Sequence, residues 1–385
     1  MYPKLIVDMK KMESNVDAVA KITKDDAGCS LMIVTKSICA DRKICEMIAK
    51  HPKVDIMADS RVANIKKYAD LLEGTNKQSL ILRIPQMCEI QELVKYVDIS
   101  QNSEIETIRA INAEAARQGK VHKIVLMVDL GDLREGLFYQ NEDAIMAVAE
   151  EVHAMSNVEL YGMGTNLTCY GAIIPKSDNL QILCVIATRV EEKLGIKLPI
   201  ISGGNSSSIY LVWKGGLPEK INNLRLGESY LLGNDTAYGE TVPGTVHDAL
   251  LIEAQIVELQ TKPSLPIGEV GKDAFGNQPE YEDRGIIKRA ILAIGKQDTD
   301  IDGMIPLDEQ IDILGGSSDH MILDLTKCDK EYKVGDTVKF KLEFGAMLKA
   351  ATSEYVTKEY IFWCADSTER FLGVHSRAED ESKDA

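Results

Sequence analysis

From residue 31 to about 232, short apolar runs alternate with longer amphipathic ones. Eight runs read as strands: 31–36, 54–58, 79–84, 97–100, 123–128, 159–165, 198–202 and 223–226. They lack a two-residue period, as expected of strands covered on both faces of a parallel sheet. Between them, 41–50, 60–73, 104–118, 143–155 and 180–194 carry helical spacing. Strands alternating with helices require parallel strands, and eight such units in about 200 residues fit a closed (β/α)8 barrel of TIM type. The alternative is an open doubly wound sheet. That fold normally opens on G-x-G-x-x-G, and the chain has no such motif near its start.

After Gly239 the pattern changes. Alternating runs at 249–259, 285–294, 320–325 and 337–344 are separated by Gly, Pro and Asp, which predicts a C-terminal all-β domain of short strands. The expected division is a barrel over 1–240, a β domain over 241–364 and a polar tail over 365–385. The first ten or so residues, apolar at 5–7, are free to pair with the β domain.

Composition narrows the class. Hydrophobic residues make up 45% and charged residues 27%, as in soluble enzymes. A net charge of −16 argues against nucleic acid or an anionic membrane as partner. No run spans a bilayer and MYPKLIVDMKK lacks a signal-peptide core, so a cytoplasmic protein is expected. Eight cysteines without a C-x-x-C pair suit free thiols in a reducing compartment. The six histidines have no ligand spacing, and no metal is expected.

In a parallel barrel the chemistry gathers at the C-terminal ends of the strands. Lys36 ends the first run, Arg134 follows the fifth, Asn166 the sixth and SGGNSSS (202–208) the seventh; Arg225–Glu228 closes the eighth. A lysine after LMIVT is covalently occupied, ion-paired, or at the strand mouth in solvent. SGGNSSS opens a helical run and so predicts an anion cradle of N–H groups and hydroxyls. A lysine and an anion cradle together suggest a cofactor with an aldehyde and a phosphate, which pyridoxal 5′-phosphate satisfies.

The order VTKSICAD, DLGDLREGL, GMGTNL, GGNSSS, RLGESYLLG, GSSDH and SEYV resembles the alanine racemase family of pyridoxal-phosphate enzymes, nearest its ornithine racemase branch. The resemblance runs to about residue 361. It implies a barrel with a C-terminal β domain, in a head-to-tail homodimer whose β domains complete each other's sites. It implies that Lys36 holds the cofactor covalently. Ser206, Gly227, Glu228 and Tyr355 would surround the phosphate, with Asn166 and Asn205 also at the cofactor. Arg225 would face the pyridine nitrogen, or else end its strand in solvent. Arg134 would meet the substrate carboxylate or cofactor phenolate, or else pair with Asp132 or Glu135.

The chain departs from that family at four positions. Asn166 stands where the family has a histidine, Ala40 where it has a tyrosine, and Met127 at the position of a carbamylated lysine. Lys296, in IGKQD, stands where a tyrosine from the partner's β domain serves as second base. It is either that base or a surface lysine. In SSDH, Ser318 and Asp319 correspond to a cysteine–aspartate pair of related ornithine decarboxylases, in which the aspartate binds the distal amine. Asp319 then selects a diamino acid, or only caps a turn. The implied activity is L/D-ornithine racemisation. Lysine or alanine racemisation and diamino-acid decarboxylation are the alternatives, and the missing thiol counts against decarboxylation.

Overall fold

The computed structural model describes residues 1–362 and 370–372, so Cys364 and the rest of the 365–385 tail lie outside the described residues. The chain forms two compact units. One is Glu13–His247; the other joins Met1–Met12 to the segment from Asp248 onward.

The chain opens on β1 (Lys4–Asp8) and the helix Met9–Ala20. The barrel strands follow: β2 (Ser30–Val34), β3 (Ile56–Asp59), β4 (Gln78–Ile81), β5 (Ile99–Asn102) and β6 (His122–Asp129). After the two-residue β7 (Leu137–Phe138) come β8 (Val158–Gly164), β9 (Ile200–Ser202) and β10 (Asn223–Leu226). The order β5-β4-β3-β2-β10-β9-β8-β6, with a further β5–β6 pairing, closes the sheet on itself. All these pairings are parallel. The strands lie within a few residues of the apolar runs, because a barrel strand must be apolar on both faces. Lys36 sits two residues past β2, at the start of a single 3₁₀ turn.

Alternate residues of these strands fill the barrel. Met32, Val34, Ile56, Ala58, Leu80, Ile99, Val125, Met127 and Ile200 form one buried cluster. Register then fixes orientation. Arg225 pairs with Met32, so its side chain points into the barrel. Gln101 pairs with Val125 and points inward too.

In the other unit, β11 (Leu250–Pro263) buries Leu250, Ile252, Ala254 and Ile256 in strict alternation. It is followed by β12 (Ile286–Leu292), β13 (Met304–Pro306), β14 (Asp312–Gly316), β15 (Met321–Asp324), β16 (Thr337–Leu342), β17 (Thr357–Ile361) and β18 (Arg370–Leu372). The order is β14-β15-β12-β11-β1-β17-β18, and β16 joins β11 to β13. β1 lies between β11 and β17, antiparallel to the first and parallel to the second. One helix, Phe344–Thr352, interrupts the strands; its Ala, Leu, Met and Lys residues are strong helix formers. No helix among the described residues is long and apolar enough to cross a membrane.

On the outer face of the β5–β6 pair, Ser100 Oγ meets His122 Nε2 at 2.9 Å and accepts from Asn102 Nδ2 at 2.7 Å. Burial pushes the His122 imidazole from its ordinary 6.5 down to about 4, with Lys120 adding to the effect. Across that window the unfolded chain binds a proton that the folded chain refuses, so stability rises with pH there. Acidification should cost up to roughly 3 kcal/mol from this group. Urea unfolding as a function of pH should show a flatter slope between those values for His122→Gln. An unchanged slope would mean that His122 takes up its proton without unfolding.

Candidate active site

The ends of β8, β9 and β10 carry a polar cluster built around Arg225, which is 2% exposed. Its Nη1 donates to Ser202 Oγ. Its Nη2 donates to the Thr165 carbonyl and to Asn166 Oδ1, each at 2.5 Å. Ser202 Oγ donates in turn to Asn223 Oδ1 at 2.6 Å, and Asn223 Nδ2 donates to Ser30 Oγ at 3.0 Å. Burial lowers the guanidinium pKa to about 10, against which Glu135 acts to raise it. Arg225 is therefore a cation at neutral pH, desolvated and held mostly by neutral acceptors. Gly164 lies beside it: a Cβ there would be in ordinary contact with Nη1, at 3.5 Å, and tight against Ser202 Cβ, at 3.2 Å. Met127, wholly buried, lines the same spot, with its Sδ 3.4 Å from that Cβ position.

Asn166 joins this cluster to the loop after β6. Its Nδ2 donates to Glu135 Oε1, the same oxygen that accepts from Arg134 Nη2 at 2.7 Å. Arg134 Nε donates to the other oxygen, Oε2. Of the two carboxylates proposed for Arg134, Glu135 is therefore the one it pairs with. Burial works to lower the Arg134 pKa, yet Glu135, with Cys169 and Asp132 adding to the effect, turns the net shift upward. Asp132 has a different role. Its two oxygens accept from the backbone N–H groups of Thr168, Cys169, Tyr170 and Ile173, at 2.9–3.2 Å. Burial works against that carboxylate, but these N–H groups hold it below the usual range.

The 202–208 loop differs from the sequence expectation. It is a turn, and the helix beyond it is only Tyr210–Trp213. Asn205 Oδ1 accepts from Ser207 N at 2.8 Å and Ser208 Oγ donates to the Gly203 carbonyl at 2.7 Å. Such local side-chain bonds compete with helix formation. Asn205 Nδ2 donates to the Leu167 carbonyl at 3.1 Å, tying the turn to the loop after β8. Ser206 Oγ accepts from Gly227 N and Ser229 N, both at 3.2 Å. With two N–H groups donating to it, its own O–H is left to donate, either to Ser229 Oγ at 3.2 Å or to an anion. Glu228 begins the short helix Glu228–Leu231 and accepts from Asn234 Nδ2 at 2.9 Å.

Lys36 lies at the same end of the barrel, just past β2, the strand next to β10. It is exposed and has no ion-pair partner among the described residues. Thr35 beside it donates to Asp59 Oδ2 at 2.7 Å, and Tyr230 donates to the Val34 carbonyl at 3.1 Å. Several buried polar atoms at these strand ends find no partner among the described residues, among them the Ser37 and Thr165 hydroxyls and the Gln101 amide. Unfilled hydrogen-bonding capacity, an anion-ready serine, a free lysine and a buried cation fit a polar, phosphorylated aldehyde such as pyridoxal phosphate. No group of three His, Cys, Asp or Glu among the described residues is arranged to hold a metal ion.

The remaining candidates belong to the other unit. Lys296 N donates to the Ser317 carbonyl at 2.9 Å and Gln297 N to the Ser318 carbonyl at 3.1 Å, so two loops pack backbone to backbone. Gly295 is required for this, because a Cβ there would come 2.1 Å from the Ser318 carbonyl oxygen. Ser318 Oγ donates to Asp319 Oδ2 at 2.6 Å, and Gln297 Nε2 donates to Oδ1. The Lys296 ammonium lies 4.7 Å from the Phe275 ring centre. Beneath them burial raises the Asp298 carboxyl, with Asp319 adding to the effect. Tyr355 follows the helix Phe344–Thr352 and is 67% exposed.

Sequence reasoning named Ser202 only as the first residue of the anion cradle, did not single out Asn223, Thr165 or Gln297, and treated Glu135 only as a competitor for Arg134. Polar residues inside apolar strands were the available signal for the first two.

The fold is that of solved barrel racemases. Alanine racemase from Bartonella henselae, with covalently bound pyridoxal phosphate, superposes with a TM-score of 0.71 at 16% identity, over 94% of this chain and 100% of that one. The model for the alanine racemase N-terminal domain matches residues 7–234, and the chain belongs to that family. An ornithine racemase from Acetoanaerobium sticklandii is 50% identical over 361 residues, covering 94% of this chain and 100% of that protein. A lysine racemase from Thermotoga maritima is 35% identical over 360 residues, 94% of this chain and 99% of that protein.

Replacing Asp132 with alanine should release the 168–173 loop. Four N–H groups would lose a charged acceptor, for a loss of about 3 kcal/mol in urea unfolding. Chymotrypsin should then cut after Tyr170, which is 76% exposed, several times faster than in the native chain. Cutting at the native rate would show that the loop is held by other contacts.

Proposed function

We propose that the chain is a pyridoxal-phosphate-dependent racemase that interconverts L- and D-ornithine. The observation that carries this reading is the pairing, at one barrel mouth, of an exposed lysine free of ion pairs with a buried arginine bonded mainly by neutral acceptors. The similarity to an ornithine racemase along its whole length supports the substrate. A cytoplasmic location suits the seven free thiols among the described residues.

Lys36 would carry the cofactor. Ser206, the Gly227 and Glu228 N–H groups and Tyr355 would hold its phosphate, with Asn205 and Asn166 alongside. Arg225 would face the ring nitrogen, where a cationic donor disfavours protonation. Pyridoxal phosphate, when bound, acidifies the Cα–H bond of an amino acid joined to its aldehyde. Once released from the cofactor by the incoming amine, Lys36 Nζ would remove or return the Cα proton on one face. Lys296 of the partner subunit would serve the other face, in a head-to-tail homodimer. Arg134 would orient the substrate carboxylate. Asp319, with hydrogen-bond donors on both its oxygens, is shaped to receive a distal ammonium, which alanine lacks. No thiol stands at Ser318 to protonate a decarboxylated carbon, which disfavours the decarboxylase alternative.

Borohydride reduction and peptide mapping should find the pyridoxyl group on Lys36, and Lys36→Ala should abolish racemisation. A label on another lysine would remove the assignment.

Asp319→Ala should lower kcat/KM for ornithine roughly ten- to a hundredfold, the value of one charge-assisted hydrogen bond. Activity on alanine should change far less. Mixing Lys36→Ala with Asp319→Ala chains should restore part of the ornithine activity. Equal damage to both substrates, or no recovery in verified mixed dimers, would exclude a shared site built on Asp319.

A further inference from the structure

The loop after β6 places a carboxylate between two arginines. We propose that Glu135 is a positioning residue that holds Arg134 in place for the substrate carboxylate and fixes the Asn166 amide against Arg225. This rests on the racemase reading only in assigning Arg134 to that carboxylate.

The donors and acceptors allow one arrangement. Arg225 Nη2 is only a donor, so Asn166 must turn its oxygen toward it, as it does at 2.5 Å. The Asn166 nitrogen is thereby turned toward Glu135, where it requires an acceptor and finds Oε1. Arg134 is also only a donor and takes Oε1 through Nη2 and Oε2 through Nε. Both neighbours of position 135 therefore donate, two N–H groups to Oε1 and a third to Oε2, and only a carboxylate presents an acceptor in both oxygen places. A glutamine has one oxygen and one NH₂. If the oxygen takes the Oε1 place, it still serves Asn166 and Arg134 Nη2, but the NH₂ opposes Arg134 Nε. If it takes the Oε2 place, the NH₂ opposes both Arg134 Nη2 and Asn166 and forces the Asn166 amide to rotate, which sets an NH₂ against the buried guanidinium of Arg225.

Charge supports the same conclusion. The two guanidiniums repel, and Arg134 lowers the Arg225 pKa whereas Glu135 raises it. Position 127, where a carbamylated lysine would bring a negative charge, is a methionine beside Arg225. Glu135 is the carboxylate that the structure sets on both arginines, directly on Arg134 and through Asn166 on Arg225. Its side chain is 17% exposed and that of Arg134 is 40% exposed, so one guanidinium edge stays open to a ligand while Glu135 grips the other.

The test uses the pyridoxal-phosphate-loaded enzyme and propionate, which has the carboxylate and no amine. Propionate titrated against the visible band of the bound cofactor should bind Glu135→Gln about tenfold more weakly than native enzyme. Glu135→Asp, which keeps two acceptor oxygens, should recover part of that affinity. With ornithine, Glu135→Gln should raise KM more than it lowers kcat. If Glu135→Gln binds propionate as well as native enzyme or better, Glu135 competes for Arg134 or is idle, and the inference fails. This readout needs cofactor binding but no turnover, so failure to racemise ornithine would count against the racemase reading alone.

Discussion

The barrel unit depends on holding one guanidinium out of water. An unpaired buried cation is costly, so the chain surrounds Arg225 with acceptors. Ser202, the Thr165 carbonyl and Asn166 accept its protons. Ser202 can accept because it donates onward to Asn223, which in turn bonds Ser30. Three neighbouring strands are thus joined by a polar chain inside a mainly apolar barrel. Because few of these partners are charged, the guanidinium keeps most of its field for whatever enters the mouth.

The other unit uses backbone contact to the same end. With no Cβ at residue 295, the 295–298 loop lies directly on 317–319, and two backbone hydrogen bonds lock the pair. Asp319 is then gripped on both oxygens by side chains from the two loops. A carboxylate held in this way pays little further ordering cost when it binds a ligand, which is how a surface loop becomes selective.

The barrel was legible because eight apolar runs separated by helical spacing allow few other folds. Strand ends moved by only a few residues, and Lys36 was found because a lysine is costly at the end of such a run. The polar wall was less legible. Ser202 and Asn223 acquire meaning only when strand register turns them onto the same interior face as Arg225. Glu135 looked like a neighbour competing for Arg134 until the fold brought Asn166 to its other side. The 202–208 segment opens only the four-residue helix Tyr210–Trp213 and is itself the end of β9 and a turn, because its serines and asparagine bond their own backbone, which composition does not reveal.

The position of β1 between β11 and β17 has a consequence for how the molecule is made. Lys4 ends up 2.8 Å from Glu359, 355 residues away along the chain. All eight barrel strands leave the ribosome before β11, so the barrel can close while the sheet that needs β1 is still unmade. Until β11 emerges, residues 4–8 are an apolar strand with both edges unpaired, and one edge stays open until β17 follows. Long-range pairings of this kind form slowly, and unpaired edges invite association with other chains. β1, made before every barrel strand, is thus among the last to be secured, and newly made chains are open to aggregation through residues 4–8.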